Sequence, residues 1–329
     1  MNAYLASGVT TTLHGTITLD LRQLHYFLAV AETLNVSRAA TRVFISQPAL
    51  SRQLQLLEEE LGVTLFERKA RGVSLTDAGV LLQQRAITVM KDVASMKEDV
   101  GAQALEPVGT VTLGIPSALR HLLTTRVAAR FSLQFPKALL RIREGTSRDI
   151  RDRVASGETD IALFSTEEPS NPFECRPILS EQLVAIALPE VRLSMAHPIS
   201  VKNLCRSPLI LTSYPNSLRT IVDRAAQDAG AEVKVSIEVD MSALMLDLVR
   251  QGLGYAVLPY CAVHVPLQAG QVSACPVKNL HISWIAAYSR ERSLSTAAKH
   301  LMKILSSEAE QLVKTNQWPT AILTASPAS

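Results

Sequence analysis

Gln47, Ser51, Arg52 and Gln55 recur at spacings that bring them to one side of a short helix, and their chemistry is that of nucleic-acid readout. Amides and hydroxyls pair with base edges in a major groove, and a guanidinium takes a guanine edge or a phosphate through two parallel hydrogen bonds. A little downstream, Arg68, Lys69 and Arg71 crowd a second short stretch, where cations suit phosphates or a minor groove. The helical stretch fits an ordinary helical hairpin in a core as well as it fits DNA; three cations at a hairpin are usually a solvated turn, and beside a recognition helix are better explained as DNA contacts. Nothing comparable is set out for catalysis. His25, His121, His197, His264, His281 and His300 are scattered, without Ser-His-Asp or metal-ligand spacing, and neither Gly-x-Ser-x-Gly nor a phosphate-binding loop is present. The reading is therefore a protein that is not an enzyme, with no catalytic residue, no cofactor and no metal site.

The elements around these residues are legible. Ser46 is a good helix N-cap and Pro48 falls in the first turn, where a missing N–H is harmless. Leu50, Leu54, Leu57 and Leu61 then form one apolar stripe, leaving the polar face free. In the preceding segment Ser37 can cap, Ala39 and Ala40 permit a close helix crossing, and Val43 and Ile45 pack the turn. This is the layout of a helix-turn-helix whose second helix reads DNA. Upstream, Asp20 caps a supporting helix with Leu21, Leu24, Leu28, Ala31 and Leu34 on its buried side and Phe27 and Val30 beside them. Gly62 stops the reading helix, and 64–68 and 72–75 form a winged hairpin that carries the cations.

A long helix follows over 76–101. Leu82, Ala86, Val89, Val93, Met96 and Val100 alternate four and three apart, a coiled-coil seam that implies a second copy of the chain. The alternative is a helix packed on its own protein. Glu106-Pro107-Val108-Gly109 marks a boundary. Beyond it strands alternate with helices: strands at 110–115, 138–144 and 160–164 with helices at 117–135 and 147–156 between them. Strands at 183–188, 208–212, 233–239 and 255–258 then alternate with helices at 200–206, 217–229 and 242–251. A late strand at 281–288 and a closing helix at 294–313 complete a mostly parallel α/β arrangement of two lobes. Residues 314–329 read as a frayed tail.

At 329 residues with 47% apolar side chains, two domains are expected. The net charge of +3 is too small to announce a nucleic-acid binder by itself, so placement carries that case. Cys175, Cys205, Cys261 and Cys275 are far apart and read as free thiols in a reducing compartment. Residues 1–19 lack the basic and apolar regions of a secretory signal and read as a disordered extension. No apolar run is long enough to span a bilayer.

The segments Ala39-Ala40, Ser46-Gln47-Pro48-Ala49-Leu50-Ser51-Arg52-Gln53, Leu57-Glu58-Glu59-Glu60-Leu61-Gly62 and Leu65-Phe66-Glu67-Arg68 closely resemble the N-terminal domain of LysR-type transcriptional regulators. The resemblance begins at Asp20-Leu21-Arg22-Gln23-Leu24 and runs, more loosely, to about Leu305. It implies a multidomain fold: an all-α winged helix-turn-helix domain over 20–76, a long dimerising linker helix over 77–106, then an α/β two-lobed type II periplasmic-binding-protein-like domain over 109–313. Lobe I would hold 109–180 and 283–313, lobe II 181–282. The function implied is sequence-specific, bacterial and cytoplasmic transcriptional regulation, controlled by a small-molecule effector between the lobes.

DNA contacts are expected from Ser37, Gln47, Pro48, Ser51, Arg52, Arg68 and Arg71. Matching to the family puts effector contacts at Ser117 and Thr146, and less directly at Ser147, Ser213 and Pro215, with Arg148 and Arg219 as sources of charge. Ser and Thr ahead of a helix are more often caps than ligands, so these residues carry two readings. The expected partners are double-stranded promoter or operator DNA, a small polar or anionic effector, RNA polymerase if the protein activates, and a second copy through the linker helix, with a homotetramer favoured by the family; no membrane is involved. Leu209–Arg219 further resembles the branch containing nitrogen assimilation regulators, and Gly252-Leu253-Gly254-Tyr255 resembles the family's glycine turn before a strand. The rival reading is a solute-binding protein without a regulatory role, which would need an export signal and would not carry residues 37–61.

Overall fold

The computed structural model describes residues 19–69, 71–101, 107–165, 173–290 and 292–324, so the expected extension up to residue 18, Glu106 of the expected boundary and the last residues of the expected tail lie outside the described residues. The chain divides into two compact units between Met90 and Lys91.

In the first unit, α1 (Leu21–Thr33) begins at a reciprocal cap: Arg22 N donates to Asp20 Oδ1 at 2.9 Å and Asp20 N donates to Gln23 Oε1 at 3.0 Å. α2 (Val36–Arg42) is capped by Asn35, whose Oδ1 accepts from Arg38 N at 3.0 Å. This corrects the expectation that Ser37 caps: the helix starts earlier, and Ser37 lies exposed in its first turn. α3 (Gln47–Leu61) starts at Ser46 and ends at Gly62, whose φ of 68° is the left-handed conformation that favours glycine. β1 (Phe66–Lys69) and β2 (Gly72–Leu75) pair antiparallel as the wing, and α4 (Asp77–Gly101) follows.

Phe27, Val30, Ala39, Leu50, Leu57 and Leu65 are the buried centre of this unit. Leu61, Leu21 and Leu34 are exposed, so both leucine stripes are shorter than their spacing suggests; each falls at a helix end where the core has stopped. The seam on α4 also splits. Ala86 is buried in this unit's own core with Leu82 against it, whereas Val89 and Met96 are exposed, Met96 by 62%. The side chain of Val100 lies outside the described residues.

The second unit runs β3 (Gly109–Pro116), α5 (Thr125–Gln134), β4 (Ala138–Gly145), α6 (Ser147–Ala155) and β5 (Ile161–Ser165), then a long strand β6 (Phe173–Ala187). It continues through α7 (Val201–Leu204), β7 (Leu209–Leu211), α8 (Ser217–Asp228), β8 (Val235–Glu238), α9 (Ser242–Arg250), β9 (Tyr255–Pro259) and α10 (Tyr260–Gln268). A second long strand β10 (Ser273–Ser289), α11 (Thr296–Lys314) and β11 (Ala321–Leu323) close the chain. One mixed sheet is ordered β4-β3-β5-β10-β6-β9-β7-β8, with β11 added to β6. β3 is parallel to β4 and β5, and β7 is parallel to β8 and β9, so each lobe has its own parallel set. β6 and β10 run antiparallel through both lobes, from Phe173 opposite Ser289 to Ala187 opposite Ser273.

Three features depart from the sequence reading. The segment expected as one helix over 117–135 begins with a 3-10 turn and a π turn before α5. α10 is an additional helix: it is buried on nearly every side and contains Pro266, so it has no polar face and no helical period to read. The tail expected to fray is instead folded to residue 324. Trp318 is only 1% exposed, and β11 pairs with β6 at Leu179, Ser180 and Glu181. The four cysteines are free, as expected, and three are buried. No helix among the described residues is long and apolar enough to cross a membrane.

Candidate functional site

The first candidate surface is the N-terminal end of α3. Ser46 Oγ accepts from Ala49 N at 3.4 Å, which fixes the helix start and turns Gln47 and Pro48 outward. Leu50, Leu54 and Leu57 point into the core, so Arg52 is exposed and Ser51 half-exposed on the other side. Gln47 Nε2 donates to Ser51 Oγ at 3.1 Å, which holds the two polar groups together. The guanidiniums of Arg52, Arg68 and Arg71 are exposed and have no hydrogen-bond or ion-pair partner among the described residues, whereas the Lys69 ammonium is engaged by Glu67 at 3.0 Å. Gln55 donates instead to Glu59 along the helix, at 2.9 Å. The expected DNA set is thus a contiguous polar edge on α3, two free guanidiniums at the wing, and Ser37 on α2.

The wing is fixed to the helices by backbone contacts. Glu58 on α3 accepts from Leu65 N at 2.7 Å and Phe66 N at 3.2 Å. Val73 N donates to Leu34 O at 3.0 Å. Gly72 has φ of 108°, and a Cβ there would lie 2.4 Å from Leu34 O, so only glycine allows this approach of β2 to the end of α1.

The second candidate is a cavity of about 340 Å³ between the lobes of the second unit. Of the expected residues, Ser117, Thr146 and Ser147 line it. Ser213 and Pro215 do not; they line an adjoining outer groove shared with Thr146, Ser147 and Arg148. Thr146 is a cap, its hydroxyl accepting from Asp149 N at 3.2 Å and donating to Asp149 Oδ2 at 2.8 Å. The hydroxyl's donation, joined by Thr146 N donating to the same Oδ2 at 3.0 Å, holds the Asp149 carboxyl below its ordinary range. Arg219 is not a source of charge for a ligand. It is largely buried and bound to Asp223 at 2.7 Å and Glu238 at 2.6 Å, and its guanidinium stacks 4.7 Å from the centre of the Tyr214 ring.

Further residues shape the cleft beside Ser147. Ser147 Oγ lies 3.1 Å from Ser165 Oγ, which lies 2.9 Å from Ser217 Oγ, so a chain of hydroxyls crosses from α6 and β5 in one lobe to α8 in the other. Arg120 grips Glu144 with two bonds of 3.0 and 2.5 Å at the cavity wall, and this holds the Glu144 carboxyl below its ordinary range against the opposing effect of burial. The Thr212 hydroxyl is buried beside the cavity and has no hydrogen-bond partner among the described residues. Met245, Ile282 and Trp284 supply apolar lining.

Behind the cavity sits Glu181, fully buried on β6 where the strands cross between lobes. It accepts from Trp284 Nε1 at 2.8 Å, from Cys261 N at 3.0 Å and from Thr320 Oγ1 at 3.4 Å. Burial pushes its carboxyl above the ordinary range despite these donors. It therefore links the cavity lining, the start of α10 and the folded C-terminal segment.

Comparison with known proteins accounts for both surfaces. Residues 21–80 match the bacterial regulatory helix-turn-helix protein, lysR family, and residues 104–310 match the LysR substrate binding domain. The HTH-type transcriptional regulator BbuR of Bordetella bronchiseptica is 30% identical over 303 residues, covering 92% of this chain and 93% of that protein. A full-length OxyR variant from Pseudomonas aeruginosa superposes with a TM-score of 0.71 at 22% identity, over 89% of this chain and 95% of its own. Full-length CbnR complexed with its target DNA superposes with a TM-score of 0.66 at 20% identity, over 89% of this chain and 99% of its own. A reading helix with a braced wing, and a two-lobed cleft behind them in sequence, thus occur here in one chain matched along nearly its whole length: the protein belongs to the LysR family of bacterial transcriptional regulators.

Proposed function

We propose that this regulator reads its operator with α3 in the major groove, Gln47, Ser51 and Arg52 meeting base edges, and Pro48 and Ser37 lying against the groove wall. Arg68 and Arg71 take backbone or minor-groove positions. The carrying observation is the exposed edge of α3, on which Gln47 and Ser51 are held together and Arg52 is left without a partner among the described residues. The protein works in the cytoplasm, as a homodimer through α4 and as a tetramer built from two such dimers; the exposed Val89 and Met96 supply apolar surface for that pairing. RNA polymerase is the further partner where it activates. A small polar or anionic effector enters the cleft, with Ser117, Thr146 and Ser147 at its inner part and Ser213 and Pro215 at its outer groove. It shifts the lobes, and with them the subunit geometry, through unequal affinity for the two arrangements. The wording of residues 209–219 supports the nitrogen-assimilation branch.

The test is a footprint on the intergenic DNA beside the protein's own gene at two salt concentrations, repeated with Arg52→Ala and Arg71→Ala. Arg52→Ala is expected to weaken the operator roughly ten- to hundredfold and to relax base preference. Arg71→Ala should weaken all sequences alike and reduce the salt slope by about one. Identical behaviour of the two variants at every site and salt would refute this division of labour.

A further inference from the structure

We propose that Phe44 is a specificity-determining DNA contact, its ring meeting a thymine 5-methyl group and the adjoining sugar at the edge of the site read by α3. The proposal rests on the reading of α3 as the DNA-recognition helix. Phe44 closes α2. Ile45 N reaches back to Ala40 O at 3.1 Å and Phe44 N to Thr41 O at 3.4 Å, the bonding of a helix that ends in a left-handed residue. Phe44 is that residue, with φ of 56°. The position favours glycine or asparagine, and a bulky side chain there is an outlier. The ring is also 93% exposed, the most exposed of the large apolar side chains among the described residues. Its neighbours Val43 and Ile45 turn inward against the core.

The chain therefore carries an aromatic residue where the backbone disfavours it and where folding gains nothing from it. Two local rules broken together, with no compensation in the fold, point to a function. The location identifies the partner. Phe44 stands two positions ahead of the Ser46 cap, at the end of α3 that presents Gln47 and Pro48. Its exposed neighbours Thr41, Ser46, Gln47, Pro48 and Ala49 are uncharged, and the nearby Arg42 is engaged by Glu32 at 2.5 Å. An uncharged, apolar projection beside base-reading side chains matches the methyl group of thymine better than a phosphate.

The test uses the full-length protein and a duplex that the wild type selects from a random-sequence library. Phe44→Asn keeps a residue that accepts the left-handed conformation. Its thermal midpoint should equal or exceed that of the wild type, while its affinity for the selected duplex should fall about tenfold with an unchanged salt slope. Replacing thymines one at a time by deoxyuridine should reveal a position in each half-site where the wild type loses affinity and Phe44→Asn does not. If Phe44→Asn binds thymine and uracil duplexes as the wild type does, the proposal is overturned. Unchanged DNA binding with reduced transcription in vitro would also overturn it, and would assign the ring to a protein contact. Failure of the wild type to select any duplex would instead refute the reading of α3 itself.

Discussion

Replacing Trp318 with alanine is expected to lower the stability of the two-lobed unit by about 3–5 kcal/mol, the usual cost of emptying a buried aromatic site. Trp318 is the largest of the fully buried side chains, and it anchors a segment beyond the matched family domain. Its backbone N–H donates to Leu312 O at 3.1 Å and its carbonyl accepts from Ala321 N at 3.1 Å, so the residue sets the path into β11. That strand then lies along β6, where Gln182 N donates to Thr320 O at 2.9 Å. Losing the ring thus loosens the edge of the crossing strands as well as the cavity it fills. Tryptophan fluorescence is the suitable measurement, because the chain's two tryptophans, Trp284 and Trp318, both belong to this unit. In Trp318→Ala the remaining Trp284 should report an early transition, while circular dichroism of the helix-turn-helix unit is unchanged. A loss below about 1 kcal/mol, the level of a tolerated surface change, would show that the segment is merely laid on the sheet.

Glu181 should prove nearly as sensitive. Glu181→Ala strands the Trp284 indole N–H, the Cys261 N–H and the Thr320 hydroxyl in a buried site. Unmet buried groups cost about 1–3 kcal/mol each, so a combined loss of about 3–5 kcal/mol is expected. The acid also leaves a pH signature. Burial raises its folded-state value, so the folded chain keeps this proton to higher pH than the unfolded chain does. The stabilisation from that proton is complete below the ordinary carboxyl value of about 4.5 and is lost as pH climbs through the raised folded value. Urea midpoints of the wild type and Glu181→Gln, compared from pH 4.5 upward, should diverge in slope over that window, with the wild type losing more. Parallel curves would mean that the carboxyl titrates alike in both states.

Legibility in the sequence follows the range of the interactions involved. The Ser46 cap, the Gly62 stop and the inward Leu50, Leu54 and Leu57 are set within one or two helical turns, and the pattern reports them directly. Arg219 reads as a free charge in the sequence because its neutralising partners include Glu238 on a separate strand. Ser165 looks like any polar residue after an apolar strand. Only topology brings it to Ser147 and Ser217, which are 18 and 52 residues away in the chain. Glu181 carries no signal of burial between Ser180 and Gln182, and is buried because β10, α10 and the C-terminal segment converge on it. Trp318 gives no periodic signal, since a three-residue strand is too short to show one. In the cleft, Ser117, Thr146 and Ser147 line one cavity, while Ser213 and Pro215 line the outer groove.

The hydroxyl bridge from Ser147 through Ser165 to Ser217 contains no ionisable member. Making or breaking it exchanges neutral hydrogen bonds for neutral hydrogen bonds with water, which mobile ions barely influence. The phosphate contacts proposed for Arg68 and Arg71 obey the opposite rule, since each phosphate neutralised releases counterions. The hydroxyl link between the lobes and the proposed phosphate contacts thus draw on different physics. Raised salt should therefore weaken the proposed phosphate contacts while leaving this link between the lobes nearly unchanged.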